Sequence, residues 1–442
     1  MLEKIAGVAL VTKLRAILLL EADFNFHNKL IFGSRMLKLA REHGLVPDEI
    51  YSEKGRTSED AILQQVLLYD IAHITKRPLV VAQVDAAQCY DRVALSMAAL
   101  TARAFKVHNS SVLGMLRPLH CMEFYLRTGF GQSENYFGGK ENGKQGLAQG
   151  NGAAPPMWQQ IQTLNMNAQH RRGHGIEIIC PISLKRRRQV GVAYVDDTNL
   201  WGGLREDEDI YEAAHKSQQG ITSWNSLLNA SGGMLRPEKC SATIHHMVPD
   251  GKGDWVYADQ LKRTDDDELD DLDDIDFHVR GEDGDVESIK RLTTNQAVEN
   301  LGMLARPDGN PTQQFACMKE KMTNWTAKIK NGSIPTRSVW MSYTHQLWAG
   351  LRYGLSANSA SLLELQNGLG SADYHLLSNL GVVRSIVEVS PVDFWWDGVI
   401  FTTNRGHRCN SGSILTTLLH WLSCRHGANR CYAIHSTGDR CG

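Results

Sequence analysis

Three acidic residues in this 442-residue chain have the setting in which carboxylates do chemistry: Asp85, Asp196 and Asp197. Asp196 and Asp197 follow Tyr194-Val195, between the apolar runs Val190–Val195 and Thr198–Trp201. Two apolar runs separated by only Asp196-Asp197 read as a β-hairpin. Aspartate suits tight turns by itself. Two buried strands that deliver a pair of anions to their shared tip nevertheless need a compensating cation, and a divalent metal is the natural one. Asp85 ends the aliphatic run Leu79–Val84 and precedes Ala86-Ala87-Gln88-Cys89-Tyr90-Asp91. A core strand that stops in a carboxylate presents it at a sheet edge, and two alanines let a bulky ligand approach the backbone. Asp85 and Asp196 together suit two Mg²⁺ ions that clamp the attacking and leaving oxygens of a phosphoryl transfer. Asp91 reads instead as the N-cap of a helix starting at Arg92.

The elements that must carry these residues follow from periodicity. Residues 1–45 are basic and apolar with helical spacing, ending at Gly44 and Pro47. Thr57-Ser-Glu-Asp60 matches a capping box ahead of a helix over Ala61–Ile74. Pro78 punctuates, and Leu79–Val84 reads as a short buried strand. Val93–Phe105, Val112–Tyr125 and Pro156–Gln169 read as helices, with the glycine-rich stretch Gly129–Gly152 as loop. Ile210, Ala213, Ala214, Ile221, Trp224 and Leu228 line one face of a long helix that starts after Glu206–Asp209 and stops at Gly232-Gly233. A strand over Thr243–Val248, a solvated acidic segment and a mainly helical second half from about Ile289 complete an α+β pattern.

Composition excludes several classes. With 42% hydrophobic and 22% charged residues the chain is of globular type, with length for two or three cored domains. Its apolar runs fall well short of the roughly 20 residues of a membrane helix. Met1–Leu20 carries Glu3, Lys4, Lys13 and Arg15 among its apolar residues, unlike a signal peptide. An intracellular protein without a membrane partner is expected. The net charge of −2 conceals a segregation: residues 1–200 carry +6, whereas Asp265–Asp276 holds nine acids in twelve residues. A basic body with one acidic loop suits a polyanionic partner. The nine cysteines form no CxxC pair, and Cys89, Cys121, Cys180, Cys240 and Cys317 read as reduced core thiols. The tail gathers four histidines and four cysteines between His407 and Cys441 without a regular zinc spacing.

Taken in order, the motifs resemble those of reverse transcriptases. Asp85-Ala-Ala-Gln-Cys-Tyr-Asp91 resembles their first palm motif and Tyr194-Val-Asp-Asp197 their catalytic Tyr-x-Asp-Asp hairpin. Gln149-Gly150-Asn151, with Pro155, Pro156 and Trp158, resembles the glycine motif that seats template and nucleotide; Gln145-Gly146 is an overlapping candidate. Gly232-Gly-Met-Leu-Arg-Pro-Glu-Lys239 resembles the segment whose lysine protonates the leaving pyrophosphate, and Leu301-Gly302-Met303 the turn that grips the primer. Arg15 through Lys29 and Arg35, continued by Gly55–Asp60, is similar to the fingers of the non-LTR retrotransposon and group II intron type. The resemblance spans residues 10–305.

It implies a right-hand polymerase fold. Residues 1–78 would form part of the fingers, 79–262 the palm, 263–287 an acidic insertion, 288–390 the primer grip and a helical thumb, and 391–442 a tail of unassigned role. It implies RNA-templated DNA synthesis with RNA template, DNA primer and deoxynucleoside triphosphates as partners. Asp85, Asp196 and Asp197 would be ligands of two Mg²⁺ ions, with Mn²⁺ as a substitute, and Lys239 would be the catalytic acid. Tyr90 would be the steric gate against a ribose 2′-hydroxyl, Arg15 and Lys29 would meet the triphosphate, and Gln149 and Gly150 would line the nucleotide site. Each has a plainer reading: solvated charges for Arg15 and Lys239, ordinary loop residues for Gln149 and Gly150, core packing for Tyr90. A nuclear site of action would follow for a eukaryotic retroelement. A catalytically decayed copy that binds nucleic acid without turnover is the alternative. Lys185-Arg186-Arg187-Arg188 reads as a charged face toward solvent, and Trp325, Trp340, Trp348 and Tyr353 as thumb core rather than base-stacking platforms.

Overall fold

The computed structural model describes residues 2–3, 14–129, 131–180, 183–261, 272–281, 284–331 and 334–355. The chain divides into one unit of Met1–Ile178 with Arg188–Val383 and another of Ile179–Arg187 with Arg384–Gly442. Every element below belongs to the first. In chain order these are α1 (Ala22–Asn28), α2 (Ser58–Thr75), β1 (Leu79–Asp85), α3 (Ala154–Arg172), the hairpin β2 (Gly191–Tyr194) and β3 (Asp197–Gly203), and α4 (Ile210–Ala230). There follow β4 (Ser241–His245), β5 (Lys290–Leu292), the hairpin β6 (Val298–Asn300) and β7 (Met303–Ala305), α5 (Thr312–Asn331) and α6 (Trp348–Leu355). The architecture is α+β.

Five strands form the central sheet in the order β2-β3-β1-β4-β5, antiparallel except for the β4–β5 pair. β1 lies in the middle, which explains its mostly aliphatic sequence, interrupted by Gln83 alone before Asp85: both of its faces are covered. Val80, Ala82 and Val84 pack with Met157, Trp158 and Ile161 of α3 and with Ile221, Trp224 and Leu228 of α4. Leu79 and Val81, on the other face, pack with Val192, Trp201 and the α2 residues Ala61, Leu68, Tyr69 and Ala72. The alternation is the two-residue period of a strand. Each fully buried Leu, Val or Ile contributes about 1.5–3 kcal/mol.

The helices begin and end where local chemistry says. Thr57 and Asp60 exchange both hydrogen bonds of the capping box, so α2 starts at Ser58. Asp209 caps α4 by accepting from the Glu212 N–H at 2.8 Å, and the six apolar residues of its predicted face, from Ile210 to Leu228, are buried. Gly232, at φ +91°, ends the helical run. Pro155 and Pro156 occupy the first turn of α3, where the missing N–H is harmless.

Several expectations are corrected. The first 45 residues are not helical throughout: Leu2–Glu3 pairs with Leu14–Arg15 as a two-stranded ladder, and helix runs from Ala22 to Glu42 through a π-helical stretch. Asp91 is not an N-cap. It lies inside the short helix Cys89–Arg92, and the next helix, Leu95–Ala104, starts from Ala94 without a side-chain cap. The helix read from Val112 spans Asn109–Cys121. The strand read over Thr243–Val248 breaks at His246, after which Met247–Pro249 pairs with Trp255–Tyr257. After Ile289 come β5, β6 and β7 before helix resumes at Thr312.

Cys89 and Cys240 are buried thiols, but Cys121 is exposed. Lys185, Arg186 and Arg187 are exposed, as expected of a charged face. Trp325 is buried and Trp340 is 40% exposed. Residues 265–271 of the acidic segment and the Cys/His tail lie outside the described residues. Among the described residues no helix is long and apolar enough to cross a membrane.

Candidate active site

Asp85 is the last residue of β1 and Asp197 the first of β3, and the two are direct partners across the antiparallel ladder. Such partners project from the same face of the sheet. Tyr194 of β2 is Asp197's partner on its other side, so the hairpin turn consists of Val195 and Asp196. The tip read from the sequence as Asp196-Asp197 is therefore shifted by one residue, and Asp197 belongs to the strand. The three carboxylates thus share one end of the sheet although 111 positions separate Asp85 from Asp196.

Like charges directly opposed on a sheet repel, and a cation answers them. The Lys239 Nζ lies 3.0 Å from Asp85 Oδ2. Its place is fixed by backbone: Ala87 N–H donates to Met234 O at 2.9 Å and Arg236 N–H to Asp85 O at 3.0 Å. These bonds zip the segment beyond Gly232-Gly233 onto the end of β1. The Asp197 carboxyl is raised to about 6, first by loss of water around it, then by the anions of Asp196 and Asp85. The same field reaches Cys89, whose thiol burial pushes up to about 12 with help from Asp196, Asp91 and Asp85.

The turn itself is held under strain. Val195 has φ +55°, a region that a β-branched residue rarely visits. Its carbonyl accepts two hydrogen bonds from α3, from Trp158 Nε1 at 2.6 Å and from Gln162 Nε2 at 2.5 Å.

The remaining expected residues lie on several elements. Tyr90 is half-buried against the larger core, and its carbonyl accepts from Leu147 N–H at 2.7 Å. Burial, and then Cys89 and Asp196, push its phenol up. Both glycine candidates are needed, for different contacts. A side chain at Gly146 (φ +77°) would overlap the backbone of Asp91, and one at Gly150 (φ +106°) the carbonyl of Leu18. Gln149 O accepts from Leu18 N–H at 2.7 Å. Asn25 of α1 donates to Gly150 O at 3.2 Å and accepts from Gly152 N–H at 2.6 Å, while Asn28 donates to Asn151 Oδ1 at 3.0 Å. The loop is thereby sewn to the helix that carries Lys29 at its end. Lys29 is exposed beside Gly152. The Arg15 backbone lies in the two-residue ladder with Leu2–Glu3. Asp91 pairs with Lys144 at 3.8 Å.

Leu301 and Gly302 form the two-residue turn of the β6–β7 hairpin, both with positive φ (+51° and +81°). That is the geometry a tight hairpin needs. Buried Gln65 of α2 accepts from Asn300 Nδ2 at 2.8 Å and from Asn199 Nδ2 of β3 at 2.5 Å. Tyr353 of α6 donates its hydroxyl to Leu301 O. Glu299 also bears on the titration of Asp197. Sequence reading missed Gln65, Gln162, Asn25 and Asn28. Each is an amide in a helix, and only its distant partner marks it.

The oxygen donors of Asp85, Asp196 and Asp197 are of the hard kind that Mg²⁺ and Mn²⁺ take. Among the described residues, no three His, Cys, Asp or Glu side chains stand close enough to hold an ion as they lie.

No family model and no curated protein matches the sequence. Solved structures of telomerases are similar to it at a distance. Telomerase from Candida tropicalis, in complex with a fragment of telomeric RNA, has TM-score 0.37 and 10% identity over 86% of this chain and 58% of that one. Telomerase from Candida albicans, in a like complex, has TM-score 0.33 and 11% identity over 85% and 57%. A truncated apo telomerase from Candida tropicalis has TM-score 0.33 and 12% identity over 52% and 42%. The chain thus spans about half the length of these proteins. They are telomerases rather than the retrotransposon and intron enzymes that the fingers segment resembles. Similarity at this level carries no weight for function, and the site stands on its own geometry.

Proposed function

We propose that the chain is a template-directed nucleotidyltransferase of reverse-transcriptase type, joining deoxynucleotides to a primer 3′-hydroxyl on an RNA template. The observation that carries this reading is the register of Asp85 against Asp197, with Asp196 in the adjoining turn and Lys239 within reach. Asp85 and Asp196, with Asp197 beside them, would hold Mg²⁺ or Mn²⁺. When bound, such ions neutralise the developing charge on the attacking and leaving oxygens. The chain's own part is positioning and charge balance, since phosphoryl transfer leaves little covalent work to protein. Lys239, released from Asp85, places Nζ where it donates a proton to the leaving pyrophosphate oxygen. Tyr90 closes the space beside the sugar, and the loop at Gln149 and Gly150, tied to α1, seats the base pair next to Lys29.

The membership in the non-LTR retrotransposon or group II intron branch rests on the resemblance of the Arg15–Asp60 segment. Nuclear action follows only from that membership. The test is extension of a DNA primer on an RNA template, with deoxynucleotides or ribonucleotides, by the parent and by Tyr90→Ala. The reading expects deoxynucleotide addition by the parent and ribonucleotide acceptance by the variant. Addition of ribonucleotides by the parent at an equal rate would reject the Tyr90 role and move the assignment to RNA synthesis.

One observation favours a second reading, a nucleic-acid-binding protein without turnover. Lys239 Nζ stands 3.0 Å from Asp85 Oδ2, on the carboxylate that an ion would need. That reading expects salt-sensitive binding of a primer–template with no incorporation under Mg²⁺ or Mn²⁺.

A further inference from the structure

Two side chains of α3 meet at one backbone oxygen. Trp158 and Gln162 are four residues apart and therefore share a helix face. They are 2% and 1% exposed, and both donate to Val195 O. The orientation has a cost, because Gln162 Oε1 is left buried without a partner among the described residues. An amide that turned its other end to the turn would meet a carbonyl with an oxygen, so the donor direction is forced. Val195 needs such support. A β-branched residue at positive φ is strained and persists only where its surroundings over-determine it. Nothing in the two-residue turn supplies that determination by itself, since neither Val195 nor Asp196 is glycine.

We infer that Trp158 and Gln162 are positioning residues that clamp the Val195 carbonyl, and so hold the Asp196 carboxylate in its working place. This rests on the proposed role of Asp196, and the inference is about the clamp rather than the acid. Release of the carbonyl lets Val195 relax to negative φ, which swings the peptide between it and Asp196. The effect on turnover should therefore exceed the effect on substrate binding, because both side chains are buried and spend their donors on the Val195 carbonyl.

The test uses isosteric variants in the full chain: Gln162→Met and Trp158→Phe each delete one donor and keep most of the volume. Each should lower kcat about tenfold, the equivalent of one hydrogen bond, and leave the nucleotide KM within about twofold. Because glycine adopts positive φ without penalty, Val195→Gly should make the clamp dispensable. The decisive comparison is the thermal midpoint of Gln162→Met against parent, and of Gln162→Met/Val195→Gly against Val195→Gly. The first difference should be several-fold larger than the second. Equal differences in the two backgrounds, or a rise in KM with kcat unchanged, would overturn the clamp. The stability comparison needs no catalysis, so an inactive parent would reject the proposed function while leaving the clamp separately tested.

Discussion

At the scale of single residues, the site is a problem of like charges. Asp85 and Asp197 face one another across the ladder, and Asp196 adds a third anion in the turn. The Asp197 carboxyl, raised to about 6, binds a proton more tightly folded than unfolded. Stability from this group is therefore full below about pH 4 and is lost as pH rises through 6. Asp197→Asn should flatten the stability profile between pH 4 and 6 and stabilise the protein at pH 7 by roughly 1 kcal/mol, the shift being discounted for solvent exposure. Urea unfolding at several pH values checks both. The acids themselves were legible in the sequence because each sits where an apolar strand ends. The one-residue shift of the turn was not, since Tyr194-Val195-Asp196-Asp197 admits either pairing until the β3–β1 register fixes it. Lys239 was legible only through a resemblance, and its partner Asp85 only in three dimensions.

At the scale of elements, the site depends on amides that tie helices to turns. Gln65 accepts from Asn199 and Asn300 at once, joining α2 to β3 and to the β6–β7 hairpin. Gln65→Leu would leave two buried donors unsatisfied, with an expected loss of about 2–4 kcal/mol. Hydrogen exchange should then rise in residues 298–305 before it rises in β1. Exchange that rises equally everywhere would mean that Gln65 supports the core rather than the hairpin. Capping chemistry made α2 and α4 readable, and alternation made β1 readable. Helix α3 shows the opposite case. Gln159, Gln160, Gln162, Asn165 and Gln169 are all buried, although in sequence they look like a solvated face. A residue's polarity predicts exposure only when its partner is water, and here Gln162 and Gln169 donate to the backbone carbonyls of Val195 and Gly220, while Gln159 Nε2, both Gln160 amide atoms and Asn165 Nδ2 have no hydrogen-bond partner among the described residues.

At the scale of the whole molecule, the sheet carries one acid-labile feature far from the carboxylates. His245 of β4 is 1% exposed, stacks on Tyr69 of α2 at 4.5 Å, and has no hydrogen-bond partner on either ring nitrogen among the described residues. Burial lowers its pKa to about 3, so the folded protein holds it neutral. The unfolded chain takes up the proton first, and stability present above about pH 6.5 is lost as pH falls toward 3. The loss should reach roughly 3–4 kcal/mol, and His245→Phe should remove most of it. An unchanged acid slope in that variant would place the lability elsewhere. Neither Tyr69 nor His245 carries a sequence signal for this pairing.

The central claim, that the acid ending β1 and the acid in the β2–β3 turn, 111 positions apart, form one catalytic centre, is tested most directly by single-turnover addition of one deoxynucleotide to a primer 3′-end. The comparison is of the parent, Asp85→Asn, Asp196→Asn and Asp254→Asn, the last an exposed acid remote in sequence from the motifs. A loss of about a thousandfold or more is expected in the first two variants and a parental rate in the third. Parental addition by either Asp85→Asn or Asp196→Asn would contradict the claim.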